Sequence, residues 1–236
     1  HGFTLWELLM TLLVAGILLG IGVPNVMEFQ RNAAMTGAAN DLVTATLMAR
    51  TEAVKRQAQV TLCLSDDPLA ATPTCTPDPV FNSATRGYVV WVDENNNFDA
   101  NGSRILTDGT DGNRVIDPGE LVLSQTAAPG AATRVRVSAN CGYITFGPTG
   151  FALPTVAPCS TTLTTRAVLF CDDRGQKVAA GALSTTRVVR TARTGRAQTL
   201  VEVAEISPLM GGFNANGANW SWNDASPKSG CNPAAS

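Results

Sequence analysis

The chain has 236 residues, 44% of them hydrophobic and 15% charged, with a formal net charge of -2. Such a length holds one apolar stem and one globular head with its own core rather than two full domains, and the composition excludes disorder throughout. So small a charge supplies no global field to draw in nucleic acid, which leaves any such contact to a local cluster.

The first element is the amino-terminal stem. From Leu8 to Met27 twenty residues carry no charge, and at 1.5 Å per residue they cover roughly 30 Å, the thickness of a bilayer core. A secretory signal peptide would place a small-residue cleavage site after the apolar run, and none follows. Instead Met35, Ala39, Leu42, Val43, Leu47, Ala53 and Val54 recur at helical spacing, so the pattern predicts one long helix, apolar first and amphipathic afterwards. Two residues run against that pattern. Glu7 is an acid whose burial in lipid costs several kcal/mol unless a cation meets it. Pro24 removes a backbone hydrogen bond and should bend the helix, helped by Gly16, Gly20 and Gly22 just before it.

The opening residues GFTLWELL resemble the processing site and stem of type IV pilins and type II secretion pseudopilins. The resemblance implies a prepilin peptidase that cuts between Gly2 and Phe3 and methylates Phe3, leaving His1 and Gly2 as a leader remnant. It also puts Glu7 at the family's acid and Pro24 at its helix-breaking proline. A buried Glu7 carboxylate satisfied by the amino group of a neighbouring subunit's Phe3 would pin the axial register as subunits stack. The implied fold is α+β, the type IV pilin fold: a long helix, apolar in its first half and kinked near Pro24, packed against an antiparallel β head. Implied partners are other pilin or pseudopilin subunits, an inner-membrane assembly platform, and the membrane itself before assembly into a periplasmic or extracellular filament. Residues 3–27 would form the transmembrane half of the helix, 28–58 its amphipathic half, 59–204 the head and 205–236 a stapled extension.

Further along, residues 49–63, the segment RGYVVWVDENNN and the run VLFCDDRGQ are similar to the GspH and FimT subgroup. Short β-branched or aromatic runs at QVTLCL, GYVVWV, LVLS, RVRVS, GYITF, AVLFC, TTRVVR and TLVEVA read independently as strands. Several alternate apolar with polar, as antiparallel strands with one buried face do, so two sheets against the second half of the helix are expected. The six cysteines, Cys63, Cys75, Cys141, Cys159, Cys171 and Cys231, form no CxxC pair and read as disulfides made in an oxidising compartment. Of the possible pairings, sequence proximity favours Cys63 with Cys75 and Cys141 with Cys159, leaving Cys171 for Cys231.

Two clusters invite a ligand. Residues 93–120 gather Asp93, Asn95, Asn97, Asp99, Asp108, Asp111, Asp117 and Glu120, oxygen ligands of the kind calcium takes. Counting from Asp93, however, Phe98 and Arg104 stand where an EF-hand wants glycine and glutamate, and a turn-rich loop choosing Asn, Asp and Gly for their backbone tolerance explains the same residues. Calcium is the one cofactor considered. In the second cluster Arg187, Arg190, Arg193 and Arg196 recur every three residues with no acid between Asp173 and Glu202. FimT-type pilins that take up DNA carry a GRxR motif near this place. Here Gly195 and Arg196 match it and Gln198 stands where the second arginine belongs. In a strand, Arg187 and Arg193 would lie on one face and Arg190 and Arg196 on the other, against a single phosphate-tracking stripe; surface salt bridging is the plainer role. Trp220 and Trp222 read as pins for the carboxyl-terminal tail. An enzyme is not expected: the single histidine, His1, lies across the stem from the head, and no phosphate loop or dinucleotide glycine pattern occurs.

Overall fold

A computed structural model describes residues 2, 4–76, 80–83, 86–93, 113–117, 119–129, 135–154, 159, 165–172, 178–179 and 183–206. It begins with α1, Leu5–Arg56, 52 residues or about 78 Å of helix. Thr4 caps its start, accepting from the Glu7 amide while the Glu7 side chain reaches back to the Thr4 amide, a reciprocal capping box. Lys55 and Arg56 fill the last turn, where cations suit the helix dipole, and Gln57 ends the helix in the left-handed region with φ 55°. The helix runs unbroken through residue 24, and the side chains of residues 21, 22, 24 and 25, where the bend was expected, lie outside the described set.

Ten strands follow. A four-stranded sheet has the order β4 (Val122–Thr126), β3 (Gly87–Val92), β1 (Val60–Ser65), β6 (Tyr143–Phe146). The second sheet has the order β10 (Ala197–Glu202), β9 (Leu183–Ala192), β7 (Thr165–Cys171), β5 (Arg136–Ala139), β2 (Val80–Ser83), with β8 (Val178–Ala179) beside β9. Every pairing is antiparallel. All eight runs read as strands in the sequence form strands; β2 and β8 are additions. The end of TLVEVA departs, because Val203–Ile206 turns into a short helix, α2.

The core lies where α1 meets the inner faces of both sheets. Met35, Ala39, Leu42, Ala45, Ala49 and Ala53 on the helix meet Val60, Leu62, Leu64, Val90, Phe146, Phe170 and Val189. Alanines at the contact let the helix axis approach the strands closely. The sequence-predicted stripe is corrected here. Leu47 and Val54 stay 45% and 44% exposed, and Ala45, Thr46 and Ala49 hold the buried positions. The buried face follows positions 35, 39, 42, 46, 49 and 53, and at about 100° per residue positions 47 and 54 turn away from it.

β1 and β3 are buried on both faces rather than one. Their outer face is covered by a second cluster of Cys63, Val89, Trp91, Cys141, Tyr143 and Cys159. Two of the expected disulfides, Cys63–Cys75 and Cys141–Cys159, are formed there and hold loops over the sheet. For the third expected pair, Cys231 lies outside the described residues, and among those residues no cysteine is free. The outer face of the second sheet carries a separate cluster of Ala167, Leu169, Cys171, Val188 and Leu200, capped by Ile206 of α2.

Candidate functional site

The surface that stands apart is the first half of α1. Every described side chain from residue 4 to residue 30 is exposed, among them Leu5 at 77%, Trp6 at 67% and Phe29 at 72%. Moving each such side chain out of water is worth about 1.5–3 kcal/mol. A helix apolar on all sides has nothing to gain from one covered face and wants surroundings on every side, whether lipid or other helices. Among the described residues no helix is long and apolar enough to cross a membrane. At the tip of this half-helix, Glu7 Oε2 accepts from the Thr4 amide and the Thr4 hydroxyl, both at 3.0 Å. Sequence reading identified Glu7 as a lone acid but missed its local partner, although Thr4 three residues before a glutamate is the signal of a capping box. Gly2 is exposed; Phe3 and His1 lie outside the described residues.

The four arginines do not form one stripe. β9 and β10 make a hairpin whose turn is closed by Gly195 N donating to Ala192 O at 2.9 Å and Ala192 N to Arg196 O at 3.0 Å. Such a three-residue loop needs a left-handed residue at its end, and Gly195 supplies it at φ 78°. Arg187 lies on the same side of β9 as Val189, toward α1, and donates to Thr186 O at 2.9 Å. Arg190 lies on the opposite side with Val188, and Gln198 faces it across the hairpin, accepting from its guanidinium once the amide is turned oxygen-inward. Arg193 and Arg196 are exposed at the tip. The glycine of the partial motif is therefore a turn residue, and the glutamine in place of the second arginine serves as a cross-strand acceptor.

Of the calcium candidates, Asn95, Asn97 and Asp99 lie outside the described residues. Asp93 is fully buried. Thr61 Oγ1 donates to it at 2.8 Å, and the Arg114 amide reaches both oxygens at 3.2 and 3.3 Å. Thr61 also meets Thr145 at 2.8 Å, so the carboxylate anchors a polar network beneath the second cluster. Among the described residues no three His, Cys, Asp or Glu side chains come together as a metal site.

Burial, opposed by the Thr61 and Arg114 hydrogen bonds, pushes the Asp93 carboxyl above its ordinary range. The native state then keeps the proton over the window between an unfolded value of about 3.9 and the higher folded one. Its contribution to stability is thus full below about pH 3.9 and declines as pH rises through the window. Asp93→Asn keeps an acceptor oxygen and does not titrate, so its thermal midpoint should fall less than wild type's between pH 4 and pH 7. Melting curves across that range check this, and added calcium should leave both proteins unmoved if Asp93 is structural.

A cavity of about 210 Å³ opens between the helix and the sheets, lined by apolar groups such as Ala38, Leu42, Val137 and Phe170 with Asp41, Arg86, Tyr88 and Thr126 as its polar members. None of these is a histidine or a cysteine. The described part of the molecule thus presents a β head of two sheets on one long helix whose free half is apolar all round, the build of a filament subunit of the pilin class. The chain belongs to the GspH family, described as type II transport protein GspH, which it matches over residues 38–195. This pilin and pseudopilin family is structural rather than enzymatic. Two crystal structures of the type IV minor pilin FimU from Pseudomonas aeruginosa strain PAO1 are similar. One is 16% identical over 75% of this chain and 94% of that chain with a TM-score of 0.40. The other is 14% identical over 70% and 91% with a TM-score of 0.36. No curated protein matches the sequence.

Proposed function

We propose that this chain is a minor subunit of a type IV pilus or a type II secretion pseudopilus, polymerising through the amino-terminal half of α1. The observation that carries the reading is the exposure of every described apolar side chain from Leu5 to Phe29. Lipid shelters that surface before assembly, and the stems of neighbouring copies shelter it afterwards. Prepilin peptidase frees Phe3, Glu7 pairs with the new amino group of a neighbour, and Pro24 gives the packed stem its play. The head faces outward and takes no part in chemistry. A major-subunit role and a DNA-uptake role are the other members of the class. Of the four arginines that the latter would use, Arg193 and Arg196 are exposed.

The test is where the protein goes. Filaments sheared from cells that express the chain should contain it in small amount relative to the main subunit, and its amino terminus there should be N-methylated phenylalanine. Recovery of the chain solely as a free soluble species with the Gly2–Phe3 bond intact would end the proposal.

A further inference from the structure

Arg166 on β7 is 3% exposed. On the same side of the strand as Val168 and Phe170, it turns inward into the seam where the two sheets meet α1. One of its nitrogens, Nη2, donates to the Leu153 carbonyl. The other two, Nε and Nη1, are buried and have no hydrogen-bond partner. Arginine keeps its charge in a protein, so an uncompensated cation sits where desolvation costs most. No acid answers it. The described charges that act on it, Arg193 and Arg114, share its sign.

Beside Arg166 lies a small, partly open space of about 20 Å³, bounded by Leu42, Thr46, Leu62, Ile144 and Val189. Among the described residues no aspartate or glutamate lines it. The space is enough for one water-sized particle and too small for a carboxylic acid or a phosphate. A water molecule would satisfy a donor yet leave the charge unanswered.

We propose that this space is a binding site for one small monovalent anion of halide size, chloride under ordinary conditions, held by Nε and Nη1 of Arg166. The ion neutralises the buried guanidinium and ties β7 to α1 and the first sheet from within. It acts on the stability of the head, independently of the exposed stem on which filament assembly depends.

The full chain in detergent is melted in sodium chloride, sodium bromide and sodium gluconate at matched ionic strength. Gluconate is too large to enter. At about ten times its Kd the halide should raise Tm by about 3–6 °C over gluconate, and Arg166→Met should lose that difference. Should the variant fail to fold, crystals of the wild-type chain soaked in bromide decide, with an anomalous peak expected beside Nε and Nη1. Equal Tm in halide and gluconate, a folded Arg166→Met that retains the whole halide effect, or water alone at the guanidinium would each overturn the assignment.

Discussion

Glu7→Ala should remove the chain from filaments while leaving its head folded, and Glu7→Gln should do nearly the same. The two substitutions separate the capping that the Glu7 carboxylate performs in the structure from the charge pairing proposed for it. Glutamine at the third helical position still completes a capping box, so Glu7→Gln keeps the bond to the Thr4 amide and loses only the charge. Thr4→Val, by contrast, loses the cap and keeps the charge, at a cost of about 1 kcal/mol. Breaking an ion pair in an apolar interior costs about 3–5 kcal/mol, and 1.36 kcal/mol is a factor of ten. Incorporation of either Glu7 variant should therefore drop by about 100-fold or more, against no more than about fivefold for Thr4→Val. Quantifying the subunit in sheared filaments against the membrane fraction measures both. Wild-type incorporation of Glu7→Gln would remove charge pairing from the mechanism.

Gly195→Val is expected to be the most damaging single change in the β9–β10 hairpin. A β carbon at that position would lie 2.4 Å from the Gly150 carbonyl oxygen and 3.1 Å from Arg50 Nε. Neither neighbour can retreat cheaply. Arg50 comes from the core helix and donates to the same Gly150 oxygen at 3.1 Å, while the Ala152 amide donates to Arg193 O at 2.9 Å. Left-handed backbone costs a β-branched residue about 1–2 kcal/mol and overpacking adds about 1–3. A loss of about 3 kcal/mol and a fall in Tm of about 6–12 °C should follow. Arg196→Ala, one residue on and exposed, should move stability by less than about 0.5 kcal/mol. Melting the two variants side by side checks the contrast, and a Gly195→Val protein as stable as wild type would show that the hairpin tip is not docked on Arg50.

The buried polar groups show where sequence reading stopped short. Asp93 reads as one oxygen among many in an acidic loop, yet it is the member that closes over Thr61 and Thr145. Nothing local marks it, because its partners lie 32 residues back on β1 and, through Thr61, on β6. Arg166 is the same case: flanked by Thr165 and Ala167, it looks like an outward strand arginine. Its inward direction follows from pairing with Thr191 on β9 and from the sheet face that α1 happens to cover.

What the linear sequence determined by itself is whatever depends on near neighbours or on composition: the stem's length and apolarity, the lone Glu7, the strand runs, and the short-range pairing of Cys63 with Cys75 and Cys141 with Cys159. These follow from periodicity, hydrogen-bond geometry and loop entropy, which act over tens of residues or fewer. The tertiary structure alone decided which stripe of the second half-helix is buried, that the first sheet is covered on both faces, how four evenly spaced arginines divide between strand faces and a hairpin tip, and which ionisable groups end up inside. Each of these depends on which surface another segment, distant along the chain, comes to cover, and burial of that kind is a property of the packed molecule.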